Sequence, residues 1–184
     1  MSTAFHSDLA PASAWVKRFA ALLPAGASVL DLACGTGRHA RLLAQQGARV
    51  EAVDRNAEAL ASLAGVAGVQ TVQLDLEAAQ WPYAGRQFDA VVVSNYLYRP
   101  HFSALLECVA PGGLLIYETF MLGNERFGKP SNPDFLLRPH ELLERVQGQL
   151  DVVAFEQGEL SVPKPAMVQR ICAQRGAGAW PSLV

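Results

Sequence analysis

The chain is poor in the features that mark several functional classes. Its 184 residues hold three cysteines, Cys34, Cys108 and Cys172. They are far apart and odd in number, with no Cys-x-x-Cys pair and no metal-ligand spacing. That argues against a disulfide framework and against a zinc site. No metal is expected, and a reducing, cytoplasmic setting follows. No charge of one sign dominates: the formal net charge is −2, which gives no global pull toward nucleic acid or an anionic membrane. No apolar run reaches the roughly 18–20 residues that a bilayer span requires. The opening Met-Ser-Thr-Ala-Phe-His-Ser-Asp has no basic segment followed by an apolar core, so no secretory signal is expected. Internal repeats, low-complexity tracts and an interdomain linker are missing too.

What is present suits an ordinary globular chain, with 51% hydrophobic and 17% charged residues. One domain is expected over 1–184, with an N-terminal helical segment at 1–24, a core at 25–175 and a tail at 176–184. Strand-like runs fall at 28–33, 48–53, 69–74, 88–94, 112–119, 150–156 and 166–174. Helical patterns occupy 12–22, 37–46, 56–64, 101–109 and 138–147, with Pro139 in the first turn of the last. Ala90-Val-Val-Val93 and Leu114-Leu-Ile116 are apolar without alternation, as parallel strands covered on both faces are. Repeated strand–helix–strand units predict a doubly wound α/β sheet. The last two strand candidates have no helix between them, and Gly158 and Pro163 in their connection suggest an antiparallel hairpin at the sheet edge.

The most informative stretch is Val29-Leu-Asp-Leu-Ala-Cys-Gly-Thr-Gly-Arg-His-Ala40. A short apolar strand carries one acid, Asp31, and runs straight into a Gly35-Thr-Gly37 turn that opens a helix. Backbone amides are thereby presented at the mouth of a parallel sheet. Asp31, Asp54 and Asp75 fall at the ends of the first three strand candidates, where ligands of such sheets bind. Asp54 follows Gly35 by 19 residues, the spacing of a ribose-binding acid. Asp75 is suited to an exocyclic adenine amine, and Asp31 to an ammonium group. Gly35-x-Gly37-x-x-Ala40 also satisfies a loose dinucleotide fingerprint, but Asp31 disfavours a pyrophosphate anion beside it. S-adenosylmethionine has no phosphate and carries the ammonium and carboxylate that Asp31 and the turn amides can take.

The run Val29–Gly37 closely resembles motif I of class I S-adenosylmethionine-dependent methyltransferases. Val50-Glu-Ala-Val-Asp54 is similar to the acidic second strand of that family, and Leu74-Asp75-Leu76 to its adenine-contacting segment. Phe88-Asp-Ala-Val-Val-Val-Ser-Asn95 resembles its fourth strand, and Ala110-Pro-Gly-Gly-Leu-Leu-Ile116 the turn into its fifth. Within the superfamily the chain looks nearest to small-molecule methyltransferases of the tellurite-resistance type. The resemblance implies a Rossmann-like fold: a doubly wound, seven-stranded, mainly parallel sheet with the last strand antiparallel. It also implies that Asp31, Ala33, Gly35 and Gly37 surround the methionine part, that Arg38 helps hold its carboxylate, and that Asp54 holds the ribose with Arg55 beside the adenine. Asp75 and Leu76 would contact the adenine, and Ser94, Asn95 and Tyr96 would line the floor near the methyl group.

The chemistry expected is in-line displacement of the methyl group by a small-molecule acceptor. Glu118, Asn95 and Tyr96 are the catalytic candidates, Glu118 as a base or as a partner for a cationic substrate. Tyr96, Tyr98 and Phe120 could wall an acceptor, and Arg99 and Arg126 could attract an anion. Tyr117 could pack under the sheet, and His101 starts a helix. The long Gly/Pro-rich loop at 121–137 is expected to cover the acceptor. An Asn-Pro-Pro-Tyr-like motif is replaced by Ser94-Asn-Tyr-Leu97 after the fourth strand, so nucleic acid is not the expected partner, nor is a membrane. RNA or protein acceptors, an NAD(P)-dependent oxidoreductase, and a cofactor-binding subunit docking through Trp180 and the tail remain alternatives. Oligomeric state stays open.

Overall fold

The computed structural model describes residues 10–176. In chain order the elements are α1 (Ala14–Ala20), β1 (Ser28–Leu32), α2 (Arg38–Gln45), β2 (Arg49–Asp54), α3 (Ala57–Ala61) and β3 (Val69–Gln73). They continue with β4 (Phe88–Ser94), α4 (Phe102–Glu107), β5 (Val109–Phe120), α5 (Glu141–Val146), β6 (Asp151–Leu160) and β7 (Ala166–Gln174). Together they build one seven-stranded sheet of order β3-β2-β1-β4-β5-β7-β6. The five strands β1 to β5 run parallel, and β7 lies antiparallel between β5 and β6. This is the expected doubly wound architecture. The chain winds outward from β1 in one direction through β2 and β3, and in the other from β4 through β5. The carboxyl ends of β1 and β4 therefore diverge into a crevice.

Both faces of the central strands are dry. On one face Leu30, Leu32, Val91, Val93, Leu115, Tyr117 and Ile171 pack with Phe102 and Leu106 of α4 and with Leu142 and Val146 of α5. On the other, Val29, Val50, Ala90, Val92, Ile116 and Cys172 meet Trp15, Val16 and Phe19 of α1 and Ala40 and Leu43 of α2. Such burial explains why the central runs lack alternation. Asp31 and Glu118 take the alternate positions of β1 and β5, so they share the second face with Trp15 rather than the first.

Several boundaries differ from the sequence reading. Helices are shorter: Ser13, whose side chain accepts from the Trp15 and Val16 amides, starts α1 later than expected. The last helix begins at Glu141 rather than 138, because His140 sits in the left-handed region at φ 63°. Pro139 therefore precedes that helix. The strand expected at 112–119 extends from Val109, which pairs with Phe88 ahead of a register shift. Gly158 lies inside β6, not in the hairpin connection. Cys34, Cys108 and Cys172 are buried and free. Trp180 and its tail lie outside the described residues. Among the described residues, no helix is long and apolar enough to cross a membrane.

Candidate functional site

The turn after β1 passes through the left-handed region at Ala33, Gly35 and Gly37, with φ of 52°, 55° and 76°. At Gly37 both conformation and space exclude a side chain: a Cβ would lie 2.4 Å from Leu63 Cδ2. The Cys34 amide reaches across to the Val53 carbonyl at 3.0 Å, and the Gly37 amide closes the turn on Cys34 at 2.9 Å. The Gly35 amide donates to Asp54 Oδ2 at 2.8 Å, and Asn56 donates to Asp54 Oδ1 at 2.9 Å. Strand β2 thus braces the turn through its terminal acid.

Asp31 is 1% exposed, and its Oδ2 has no hydrogen-bond partner among the described residues. Burial pushes its carboxyl up to about 7, against the opposing pull of the Ala40 amide and Arg38. A buried, orphaned carboxylate oxygen is costly. It calls for a cation, which is the chemistry an ammonium group brings. The residues present therefore fit a nucleoside that carries an amino-acid tail.

Beside the turn lies an open cleft of about 130 Å³, lined by Ala33, Asp54, Arg55, Leu74, Asp75, Leu76, Glu77 and Tyr96. It brings together Ala33, Asp54, Arg55, Asp75 and Leu76 of the expected cofactor residues. Asp75 Oδ1 accepts from the Glu77 amide at 2.9 Å, which turns its side chain at the end of β3. Leu74 and Glu77 were not anticipated, although both adjoin the Asp75-Leu76 pair. Arg38 reaches the neighbouring strand end instead: its Nη2 donates to Ser94 Oγ at 3.0 Å and its Nη1 to the Pro11 carbonyl at 3.3 Å.

The three catalytic candidates do not converge. Asn95 is left-handed at φ 56°, and its amide donates to the Glu118 carbonyl at 2.9 Å. That twist ends the strand alternation and sends Tyr96 to the cleft beside Asp75. Glu118 lies on the Trp15 face, 8% exposed, with Oε2 3.4 Å from Arg170 Nη1. Arg170 in turn pairs with Glu156 at 2.5 Å and stacks over the Trp15 ring at 4.9 Å. Ser94, Glu118, Arg170 and Glu156 are register partners across β4, β5, β7 and β6, one polar row above the apolar core. Arg170 gave no local signal, being 52 residues from Glu118.

Other candidates have structural partners. Arg99 forms a two-point pair with Glu141 at 2.8 and 2.9 Å and donates to the Asp134 and Leu136 carbonyls, so it is not a free anion ligand. Arg126 pairs with Glu159 at 3.2 Å. His101 Nε2 lies 2.7 Å from the Ala78 carbonyl and Tyr98 donates to Glu77 O at 3.3 Å. Tyr117 is in the core, stacked on Phe102. The 121–137 loop is pinned at three places. The Leu122 amide donates to Leu137 O at 2.9 Å, Asn124 bridges Pro130 and Met167, and Arg99 holds its far end.

Residues 29–113 match a family described as a methyltransferase domain. The Bacillus subtilis protein YqeM, named as a methyltransferase, is 32% identical over 120 residues, 59% of this chain and 49% of that protein. A tRNA U34 carboxymethyltransferase of Methylococcus capsulatus is 34% identical over 124 residues, 60% of this chain and 38% of that protein. The chain thus spans about half, or less, of the length of the curated relatives it matches. TehB of Haemophilus influenzae superposes with a TM-score of 0.71 at 22% identity, over 95% of this chain and 63% of that one. The sequence likeness over residues 29–113 is thus to a methyltransferase domain, and the fold is the one that TehB has.

Proposed function

We propose that the protein is an enzyme that moves the methyl group of S-adenosylmethionine onto a small-molecule acceptor in a cytoplasmic setting. The observation that carries this reading is the buried, unpartnered Asp31 oxygen at the end of β1, next to a cleft framed by Asp54 and Asp75. An ammonium group satisfies that oxygen, and a diphosphate would be repelled by it. The Gly35 amide, which a dinucleotide phosphate would need, is held by Asp54. Both facts weigh against an NAD(P)-dependent oxidoreductase.

In this reading Asp31 pairs with the ammonium, and Arg38 and Ser94 face the methionine carboxylate from the end of β4. Ala33, Gly35 and Gly37 shape the turn that the methionine part follows. Asp54 keeps lone pairs free for ribose hydroxyls, while Arg55, Asp75 and Leu76 hold the adenine. The bound sulfonium supplies an activated methyl group, so the chain need only align a nucleophile and exclude water. Asn95 and Glu118 border the methyl end. Glu118, fixed by Arg170, takes a proton from the acceptor or holds a cationic one. The pinned 121–137 loop forms a standing wall on the β5 side of that space. An RNA acceptor is the second reading, favoured by the tRNA substrate in the name of the Methylococcus relative.

Isothermal titration with S-adenosylhomocysteine tests the cofactor. Saturable heat at sub-millimolar ligand is expected, and its absence overturns the reading. Transfer of label from S-adenosylmethionine to a metabolite mixture, against transfer to bulk tRNA, separates the two acceptor classes.

A further inference from the structure

The two edges of the sheet are built differently. At one, β6 carries Asp151, Glu156 and Glu159, shifts register with β7 between Val152 and Ala154, and holds Gly158 at φ 144°. Charges and irregularities of that kind keep an edge strand from pairing with another chain. At the other, β3 reads Val69-Gln-Thr-Val-Gln73, with no charge, proline or glycine. It lies within 59–74, the longest stretch of the chain without a charged residue. Gln70, Thr71 and Gln73 are exposed, and Val66, Val69 and Val72 are half-buried. Among the described residues β3 pairs with β2 alone. The Gly68 carbonyl accepts from the Val50 amide at 2.8 Å, and the Leu74 amide donates to the Asp54 carbonyl at 3.1 Å, so the even-numbered backbone groups face β2. Successive residues of a parallel strand point their backbone groups to opposite sides, so Val69, Thr71 and Gln73 turn theirs outward. The Val69 amide is taken by the Val66 carbonyl at 3.2 Å. That leaves the Thr71 and Gln73 amides, with the carbonyls of all three residues, for a partner strand.

We propose that this edge pairs with the same edge of a second copy of the chain, in a two-fold dimer whose axis passes through Thr71. The axis sets Thr71 opposite Thr71 of the partner subunit, and Val69 opposite Gln73 of the partner subunit. Antiparallel residues placed opposite each other in this way exchange N–H···O bonds. The two Thr71 residues bond reciprocally, and each Gln73 amide meets a Val69 carbonyl, while the Gln73 carbonyl at the strand end stays with water. The edge is thus complementary to itself, as a two-fold interface requires. A charge on the axis would face its own copy, and β3 has none. The cross-strand Thr–Thr pair is a favourable one. Val66 and Val69 on one face of the sheet and Val72 on the other lose water to the partner. The same register carries the 66–68 turn of the second copy beside Leu74 and Asp75, at the rim of the cleft. The dimer surface adjoins the proposed cofactor site and does not depend on the methyltransferase reading.

Sedimentation velocity on the wild-type chain should show a dimer at about 100 μM that dissociates on dilution. Thr71→Lys and Thr71→Asp each set like charges against each other on the axis, and each should raise the dimer dissociation constant at least about tenfold. An equal mixture of the two variants should recover a heterodimer, because the charges then oppose. Mixing would not repair a folding defect, so the recovery reads the contact itself. Val152→Lys, on the β6 edge, should leave the dimer unchanged. A second measurement needs no variant: in the wild type, hydrogen exchange at the Thr71 and Gln73 amides should slow as the chain concentration rises from about 1 to about 100 μM. A wild type that stays monomeric over that range overturns the proposal. So does a dimer that survives Thr71→Lys, one that Val152→Lys breaks, a mixture that stays monomeric, or exchange at Thr71 that does not depend on concentration.

Discussion

The Gly35 amide donates to Oδ2 of Asp54 across 2.8 Å, tying the turn after β1 to the end of β2. One carboxylate thereby does two jobs: it fixes the turn and presents its remaining lone pairs to the cleft. Asp54→Ala removes both and should weaken S-adenosylhomocysteine binding by about 10- to 100-fold. Asp54→Asn keeps one acceptor oxygen and should lose less. Titration calorimetry on both variants reads the difference. Unchanged affinity in Asp54→Ala would move the ribose away from this strand end.

In the proposed reading Asp31 links cofactor binding to pH. Its carboxyl is pushed up to about 7 in the folded chain, against an ordinary value of 3.8. The folded state therefore holds a proton that the unfolded chain has released. The stability this group contributes is complete below about pH 4 and is lost as pH rises through about 7. Asp31→Asn should accordingly raise the ligand-free melting temperature at pH 8 and change it little at pH 4. An ammonium partner favours the ionised form, so S-adenosylhomocysteine affinity should fall up to about tenfold per unit as pH drops below 7. Calorimetry at pH 6 in buffers of different ionisation enthalpy should register a proton released on binding. No proton release, or a variant that binds normally, contradicts the pairing.

Glu141 is fully buried and pairs with Arg99, Arg138 and Arg145, of which Arg99 also holds the Asp134 and Leu136 carbonyls of the 121–137 loop. Burial raises its pKa, but the hydrogen bonds from Arg99, the Arg138 amide and Arg145 outweigh it and bring the carboxyl down to about 2. A depressed acid contributes stability above its ordinary value of 4.5 that is lost as pH falls through about 2. Arg99→Ala should cost roughly 3 kcal/mol in urea unfolding at pH 7, because it strips a buried charge of its main partner. Glu141→Gln should flatten the acid limb of the stability curve between these two values. A loss below about 0.5 kcal/mol in Arg99→Ala would show the pair to be dispensable.

The turn was legible because its determinants are local. Asp31, Gly35 and Gly37 lie within one strand–turn–helix unit, and the spacing of Asp54 from Gly35 reflects one βαβ step. The expected places of Ala33, Asp54, Arg55, Asp75 and Leu76 meet in one cleft for that reason. Arg99 was misread as an anion ligand because its partner Glu141 lies 42 residues away. No local pattern reveals such a pair. Tyr96 was grouped with Glu118 because one follows β4 and the other lies near the end of β5. The left-handed Asn95 just before Tyr96 and the strand register separate the two side chains onto opposite faces.

The sequence by itself determined the order of strands and helices, the Gly-rich turn and the three acids at strand ends, since hydrophobic period and turn chemistry act over a few residues. Tertiary structure decided what each polar group faces. The row Ser94–Glu118–Arg170–Glu156 exists only because β7 inserts antiparallel between β5 and β6. Strand insertion is a long-range choice, made when apolar faces pack together, and only then does a charge acquire its partner or remain without one.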